Sequence, residues 1–330
     1  QPGFTATGYT VLGGASDQPA ASVNDLLQDY YQARLNRQSF QQIRQQITQK
    51  LGNLRKKAEQ KANIFRDRLQ ESTEAEHYRA QADLLMAYLH EWSPGMAVMT
   101  LPDFTTGEPV QIPLAPDKTA VQNAQAFYKK HQKLKRSIQA IQPLLADVEQ
   151  ELAYLDQIDA AVQQLDQYRE PADLWALMEI RDELVQQGYL ADPHQRSRSS
   201  QERDRLSCHR FSTPSGGELW VGRNNRQNDE LTFRVATEYD LWFHTQEIPG
   251  SHALLRLNPG AIATAEDVQF AADVTAFFSR ARQSEQAPVI YTEPRHVYKP
   301  RGAKPGMVIY KHEQVIWGHP LIGATLTQAG

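Results

Sequence analysis

Apolar residues recur every three or four positions in two long stretches of the chain. The first stretch runs from Phe40 to Leu69, and the second runs from Phe127 to Val162 with a nearly strict alternation of four- and three-residue steps. This spacing is typical of coiled-coil helices, which bury one stripe of side chains against a partner helix. Two such helices in one chain predict an antiparallel hairpin. Pro143 lies within the second stretch and predicts a bend or a local break there.

The pattern changes between the two stretches. Residues 76–92 keep a helical spacing, whereas residues 97–101 and 109–114 read as short strands. We therefore expect a small α/β tip, at about 76–116, inserted into the hairpin. A short amphipathic helix at 171–187 is predicted to close the hairpin.

The last third of the chain has short apolar runs instead of long periodic ones. A polar stretch at 191–207 without apolar periodicity predicts a mobile linker. A helix is predicted from Thr264, a good N-cap residue, to Arg282. Strands are predicted at 209–213, 218–221, 240–244, 253–257, 289–292, 308–310 and 315–317.

The expected fold class is therefore mixed: a long antiparallel α-helical coiled-coil hairpin with a small α/β tip, followed by an α+β C-terminal domain. The predicted division is an N-terminal extension at 1–22, the hairpin at 23–190, a linker at 191–207 and the C-terminal domain at 208–330.

Composition narrows the class of protein. The chain has 330 residues, of which 40% are hydrophobic, and no apolar run approaches the roughly 20 residues of a membrane helix. Its first residues lack the basic and apolar regions of a signal peptide. The single Cys208 excludes an internal disulfide and a cysteine-based zinc site. These features predict a cytoplasmic protein, and the missing initiator Met suggests a fragment or a processed chain.

The net charge of −4 conceals an uneven distribution. The segment from Arg34 to Arg68 contains ten Lys and Arg residues and two acids. The segment from Lys118 to Arg136 contains six Lys and Arg residues and no acid. Because antiparallel helices bring the end of one beside the start of the other, we expect these cations to converge near the distal end. Such a face could contact RNA phosphates, although a solvated coiled-coil face is the alternative. The candidate ribosome-contacting residues are Arg55, Lys56, Lys57, Lys61, Lys129, Lys130 and Lys133.

The segment YDLWFHTQEIPGSHALLRL, residues 239–257, concentrates polar and aromatic side chains around one turn. Two strands flank the turn, and its glycine is predicted to leave room for a ligand phosphate. A packed Trp with hydrogen-bonded His residues is the structural alternative. The candidate RNA-binding residues here are Asp240, Trp242, His244, Gly250, Ser251 and His252.

Two further blocks flank this segment. The block WVGRNNRQND offers Arg223, Asn224 and Asn228 beside a glycine turn, where ordinary turn chemistry is the alternative. The block VYKPRGAKPGMV offers a basic loop that lacks the Gly-Lys-Ser/Thr of a Walker motif. Its candidate phosphate contacts are Lys299, Arg301 and Lys304.

These three blocks, in this order, resemble the C-terminal RNA-binding module of the NFACT family, which includes bacterial proteins long described as fibronectin-binding and ribosome quality-control factors. The segments SVNDLLQDYYQAR, IPLAPDKTAVQNAQAFYKKHQKLKR and LWALMEIRDELVQQGYL are similar to the middle region of that family. The family's N-terminal domain, with its tRNA-recruiting residues, is not visible in the chain.

The resemblance implies a non-enzymatic factor that binds the obstructed large ribosomal subunit through rRNA and tRNA. It also implies support for rescue of stalled ribosomes and for C-terminal tailing of nascent chains. We expect no catalytic residue, cofactor, metal or membrane partner. One alternative is a fibronectin-binding surface adhesin. A second is a metal-dependent hydrolase acting on nucleic acid through Asp240, His244 and His252, although Ser251 and His252 point apart on a strand.

Overall fold

The computed structural model describes residues 22–72, 74–191 and 207–327, together with three two-residue strands near the N terminus. These strands are β1 (Gly3–Phe4), β2 (Tyr9–Thr10) and β3 (Gln18–Pro19), paired antiparallel in the order β2-β1-β3. Apart from its two ends, the predicted linker at 191–207 lies outside the described residues.

Two long helices dominate the first half of the chain. Helix α1 spans Val23–Ser72, and helix α3 spans Ala120–Gln164 after the shorter helix α2 at Ala75–Ala87. Both long helices pass through two compact units: residues 1–54 with 153–330, and residues 55–152. The predicted mixed fold class, with long helices and an α+β C-terminal region, is confirmed.

The unit at 55–152 contains the predicted tip. Strands β4 (Val98–Pro102) and β5 (Pro109–Pro113) form an antiparallel hairpin. Its buried Leu101 and Ile112 pack with Leu85 of α2. Below the tip, α1 and α3 meet through small and β-branched residues, with Ala58 and Ala62 packed against Val148.

Of the two outcomes predicted for Pro143, the local break is wrong, and the bend stays a prediction. Helix α3 runs through this residue without interruption. Proline removes one helical N–H and crowds the preceding turn. Here the residue is exposed, so its ring displaces no core side chain, and the rest of the apolar stripe holds the helix.

The other unit joins the base of α1 and α3 to helix α4 (Pro171–Gln186). Phe40 and Ile47 of α1 pack against Leu155 of α3 and Leu177 of α4, all nearly or fully buried. Met307, far along the chain, also packs on this cluster. The C-terminal region is therefore seated on the hairpin base through apolar contacts.

The C-terminal region is built on a six-stranded antiparallel sheet. The sheet order is β13-β10-β8-β9-β7-β6, and helix α6 (Ala265–Phe277) packs on one face. Thr264 caps this helix by accepting a hydrogen bond from the Asp267 amide at 3.1 Å, as the sequence predicted. The strands are β6 (His209–Ser212), β7 (Glu218–Val221), β8 (Leu241–Thr245), β9 (Ala253–Arg256), β10 (Ala287–Thr292) and β13 (Gln314–Gly318).

Three short elements complete this region. Helix α5 (Asn225–Glu230) continues into a π-helical turn at Leu231–Val235, where the sequence predicted only a turn. Strands β11 (Val297–Tyr298) and β12 (Ile309–Tyr310) form a separate two-stranded ribbon. Helix α7 (Pro320–Leu326) packs on α6. Among the described residues, no helix is long and apolar enough to cross a membrane.

Candidate RNA-binding surface

Asp240 is fully buried at the start of β8. Its carboxylate accepts hydrogen bonds from the amides of Thr237 at 2.8 Å and Leu257 at 3.1 Å, and Arg256 Nε lies 3.3 Å away. Two backbone donors and one cation compensate the buried charge. The acid therefore ties the start of β8 to the end of β9.

Trp242 and His252 meet at the π-helical turn. The indole Nε1–H donates to the hydroxyl of Thr232 at 3.0 Å, and that hydroxyl lies 2.8 Å from Nδ1 of His252. The His252 amide donates to Asn228 Oδ1 at 3.0 Å. Trp242 and His252 are 0% and 1% exposed. The π turn thus places one hydroxyl where it joins two buried rings.

The imidazoles of His244 and His252 lie edge to face, with ring centroids 5.4 Å apart. Burial lowers the pKa of His244 to about 4. Burial, followed by the nearby His244, lowers the pKa of His252 well below its usual value. Both rings are therefore neutral at pH 7, and neither offers a positive charge to a phosphate.

The turn at Gly250 is filled by protein atoms. A Cβ at this position would lie 2.7 Å from Cβ of Ser279, and the Gly250 carbonyl accepts a hydrogen bond from Gln157 of α3 at 2.6 Å. Ser251 Oγ donates to the Gly222 carbonyl at 2.5 Å. The expectation that this glycine leaves room for a ligand is wrong, because the space is used for close packing.

Arg223 is buried against the start of α4. Its guanidinium donates to Asp173 Oδ1 at 2.6 Å, to the Ser207 carbonyl at 2.7 Å and to the carboxylate of Glu170. Glu170 and Asp173 also form the capping box of α4. One arginine therefore joins the C-terminal region to a helix about 50 residues earlier in the chain.

The asparagines of the same block continue this contact. Asn224 caps α5 by accepting the Gln227 amide at 3.0 Å and donates to Glu179 of α4 at 2.8 Å. Asn225 donates to Glu183 at 3.1 Å. The block that predicted flexible RNA-contacting amides thus forms a buried polar joint between α5 and α4.

The cations of the basic loop differ in their partners. Lys299 pairs with Asp229, whose other oxygen accepts the Gly306 amide at 3.1 Å. Lys304 donates to the Tyr189 hydroxyl, and its Nζ lies 4.4 Å from the ring centroid of Tyr154. Arg301 is exposed. Two lysines therefore anchor the loop, and the arginine faces outward.

A cavity of about 480 Å³ lies beside α4, α5 and the π turn. Its lining is mainly acidic, which disfavours a phosphate ligand. Burial raises the pKa of Glu183 to about 7, and the Tyr154 hydroxyl donates to this carboxyl at 2.7 Å. Among the described residues, no group of three or more His, Cys, Asp or Glu is placed to hold a metal ion. The charged lining residues are Glu179, Asp182, Glu183, Asp229, Glu230, Arg226 and Arg234.

The hairpin cations form two separate groups. Arg66 pairs with Glu149 at 2.8 Å, which aligns the first group with the acidic part of α3. The His131 ring instead contacts the Ala75 carbonyl at 2.9 Å, so the second group lies beside α2. The expectation that the two runs converge is wrong. Glu149 and His131 are 18 residues apart on α3, so the two levels are separated by roughly 27 Å at 1.5 Å per residue.

Within these groups, several side chains are already engaged in local contacts. Arg55 lies 3.9 Å from Glu59, and Lys130 Nζ lies 3.9 Å from the Tyr78 ring centroid. All six candidate lysines are exposed: Lys56, Lys57, Lys61, Lys129, Lys130 and Lys133. Their contact with the ribosome, like RNA contact by the buried motif residues, stays a prediction.

Family models match the chain in two consecutive parts. Residues 1–203 match the model described as NFACT N-terminal and middle domains, and residues 207–312 match the model described as NFACT protein RNA binding domain. The fold therefore carries an RNA-binding module of a known type. The chain belongs to the NFACT family.

Curated relatives and a solved structure agree with this membership. The chain is 35% identical to the Rqc2 homolog RqcH of Bacillus subtilis (strain 168) over 301 residues, which are 91% of the chain and 51% of that protein. It is 32% identical to the Rqc2 homolog RqcH of Streptococcus suis (strain 05ZYH33), over 96% of the chain and 56% of that protein. The chain thus spans about half the length of these relatives.

The solved structure is the C-terminal part of the fibronectin/fibrinogen-binding protein from Streptococcus suis. Its TM-score to this chain is 0.64 at 29% identity, covering 86% of this chain and 95% of that one.

Proposed function

We propose that the chain is part of a ribosome quality-control factor. It binds the large ribosomal subunit obstructed by peptidyl-tRNA, contacts rRNA and tRNA, and supports rescue and C-terminal tailing of the nascent chain. The observation that carries the proposal is 35% identity to an RqcH protein across 91% of the chain. The match of residues 207–312 to an RNA-binding domain supports it.

The exposed hairpin lysines supply a physical basis for the ribosome contact. Each lysine that neutralises an RNA phosphate releases condensed counterions, so binding weakens as salt rises. Lys56, Lys57 and Lys61 form one candidate contact, whereas Lys129 and Lys133 form the other. The first group lies on α1 and the second on α3, at different positions along the length of the hairpin. Each group is therefore expected to contribute independently.

Co-sedimentation with large subunits at several salt concentrations tests this proposal. Reversal of Lys56, Lys57 and Lys61 to Glu should reduce binding strongly and flatten its salt dependence, while helicity stays unchanged. The matched control replaces the same three residues with Arg, which keeps the charge and can also bind phosphate, so it should bind at least as well as the parent. Unaltered binding of the Glu variant would return these lysines to an ordinary solvated face.

The proposed activity is binding to the ribosome, and it implies that the protein acts in the cytoplasm, where ribosomes are found. A second candidate function is fibronectin binding, favoured by the similarity to the Streptococcus suis protein of that description. Surface-immobilised fibronectin separates the two: saturable binding that survives reversal of Lys56, Lys57 and Lys61 to Glu would support the second candidate.

A further inference from the structure

The outer face of the β11–β12 ribbon carries an exposed aromatic residue. Tyr298 pairs with Ile309 across the ribbon, and Val297 pairs with Tyr310. Directly opposed residues share one face of a ribbon, and successive residues alternate between faces. Val297 is buried with Trp242, whereas Tyr298 and Ile309 are 43% and 51% exposed. The ribbon thus presents a tyrosine and an isoleucine side by side to solvent.

One cation lies beside this exposed pair and others are close to it in sequence, although Arg295 and Lys299 already pair with Glu293 and Asp229. Residues 294–312 contain five Lys or Arg residues, two His and no acid. Lys311 Nζ lies 5.8 Å from the Tyr298 ring centroid. Arg301 is exposed in the loop that follows Tyr298. A cation beside an exposed aromatic ring is a combination that single-stranded nucleic acids favour.

The ribbon is held in place from its inner side. The Lys311 amide donates to the His296 carbonyl at 3.1 Å, and Thr292 Oγ1 donates to the Lys311 carbonyl at 3.0 Å. The ion pair of Lys299 with Asp229, which also accepts the Gly306 amide, fixes the loop between the strands. Because these contacts already order the backbone, binding at the outer face costs little additional entropy.

We propose that Tyr298, with Lys311 beside its ring and Arg301 in the loop that follows it, is a stacking platform for a base of single-stranded RNA. A ring offers every base the same π face, so recognition is tolerant of sequence. Bases within an A-form duplex are already stacked and do not reach such a platform. The assignment rests on the proposed RNA-binding function and adds the part of the surface and the form of RNA.

Fluorescence anisotropy with the full chain tests this platform. The probe is an unstructured oligouridine of about ten nucleotides, close to the site size of small single-strand-binding modules. Tyr298→Ala should raise the dissociation constant roughly 5- to 150-fold, the loss expected for one stacked base. Tyr298→Phe should bind like the parent because it keeps the ring.

Two controls separate stacking from folding and from general charge. Tyr239, also about two-fifths exposed in the same region, is the matched tyrosine, and Tyr239→Ala should leave affinity unchanged. Tyr298→Leu keeps apolar cover over Ile309 but removes the ring, so it should bind as weakly as Tyr298→Ala. Lys311→Ala should reduce the salt slope by about 0.7, the value for one phosphate contact on a single strand.

The outcomes distinguish this platform from the broader proposal. Equal binding by the parent and Tyr298→Ala would overturn the platform and leave RNA binding by the chain intact. The same measurement uses an RNA stem-loop of similar length. If Tyr298→Ala weakens binding to this double-stranded RNA as much as binding to oligouridine, the preference for single strands is overturned. A parent chain that binds neither RNA would defeat the platform and the proposed RNA binding together.

Discussion

Arg223 Nη1 donates to Asp173 Oδ1 at 2.6 Å, and both side chains are buried. The arginine precedes α5 in the C-terminal region, and the aspartate lies in the first turn of α4. This ion pair therefore joins two segments that are separated by a stretch of polar sequence. Asn224 of the same motif and Gly250 of the second motif make similar contacts with α4 and α3.

Removal of one partner of a buried pair leaves an uncompensated charge. We therefore expect Arg223→Ala to lower the free energy of unfolding by roughly 3–5 kcal/mol. Urea unfolding followed by tryptophan fluorescence measures the loss. Arg234→Ala, an exposed arginine in the same region, is the control and should change stability by less than about 0.5 kcal/mol. Equal stability of the two variants would show that the pair does not hold the joint.

Gly250 is expected to tolerate no side chain. Gly250→Ala would bring a Cβ within 2.7 Å of Cβ of Ser279 and 3.0 Å of Thr245 Oγ1. Such overpacking typically costs about 1–3 kcal/mol. Gly52→Ala is the control, since no atom lies within 4 Å of its added Cβ. That substitution in α1 should raise stability by up to about 1 kcal/mol. Thermal melts that rank the two variants in the opposite order would contradict the packing at Gly250.

A substitution at Trp242 distinguishes a role in the folded framework from direct contact with RNA. Trp242→Phe removes the indole donor to Thr232 and should lower stability by roughly 1–3 kcal/mol. If the residue serves only the framework, RNA affinity measured well below the melting temperature should remain that of the parent. A folded Trp242→Phe protein with weakened RNA binding would instead support the contact predicted from the sequence.

Acid should destabilise the fold through its buried histidines. Burial lowers the pKa of His209 to about 3 and that of His244 to about 4, and it lowers the pKa of His252 well below its usual value of 6.5. The unfolded chain therefore binds more protons than the folded chain below about pH 6.5, and stability falls as pH decreases toward 4. Glu183 acts in the opposite sense between its usual 4.5 and its folded pKa of about 7.

Urea unfolding between pH 4.5 and 7 measures this balance. Three histidines against one glutamate predict a net loss of stability on acidification. His244→Gln should flatten the dependence, whereas His90→Gln, an exposed histidine in the other unit, should leave it unchanged. A dependence that is the same in both variants would show that His244 does not contribute.

The periodicity of apolar residues was enough to predict the long helices, the tip and most strands of the sheet. It also identified Thr264 as a helix cap, because capping depends on residues three positions apart. It missed α5, the π turn and β11, since elements of two to six residues contain too few positions for a period. The unbroken helix at Pro143 shows that a long apolar stripe can outweigh one missing hydrogen bond.

The candidate site could be predicted only in part. The three motifs do come together: the His252 amide of the second donates to Asn228 of the first, and Lys299 of the third pairs with Asp229 of the first. Their burial was not predictable, because the partners of Arg223 and Asn224 lie on α4 and such long-range pairs leave no local pattern. The separation of the lysine groups likewise depends on the register of α1 and α3. The exposed Tyr298 was overlooked because a single aromatic residue in a basic loop has no periodic signal.

The most direct test of the account is sedimentation of the chain with large ribosomal subunits that carry peptidyl-tRNA. Empty large subunits and small subunits serve as comparisons at the same ionic strength. We predict preferential binding to the obstructed large subunit, reduced by reversal of Lys56, Lys57 and Lys61 to Glu. Equal binding to all three particles, or none to the obstructed subunit, would contradict the proposed function.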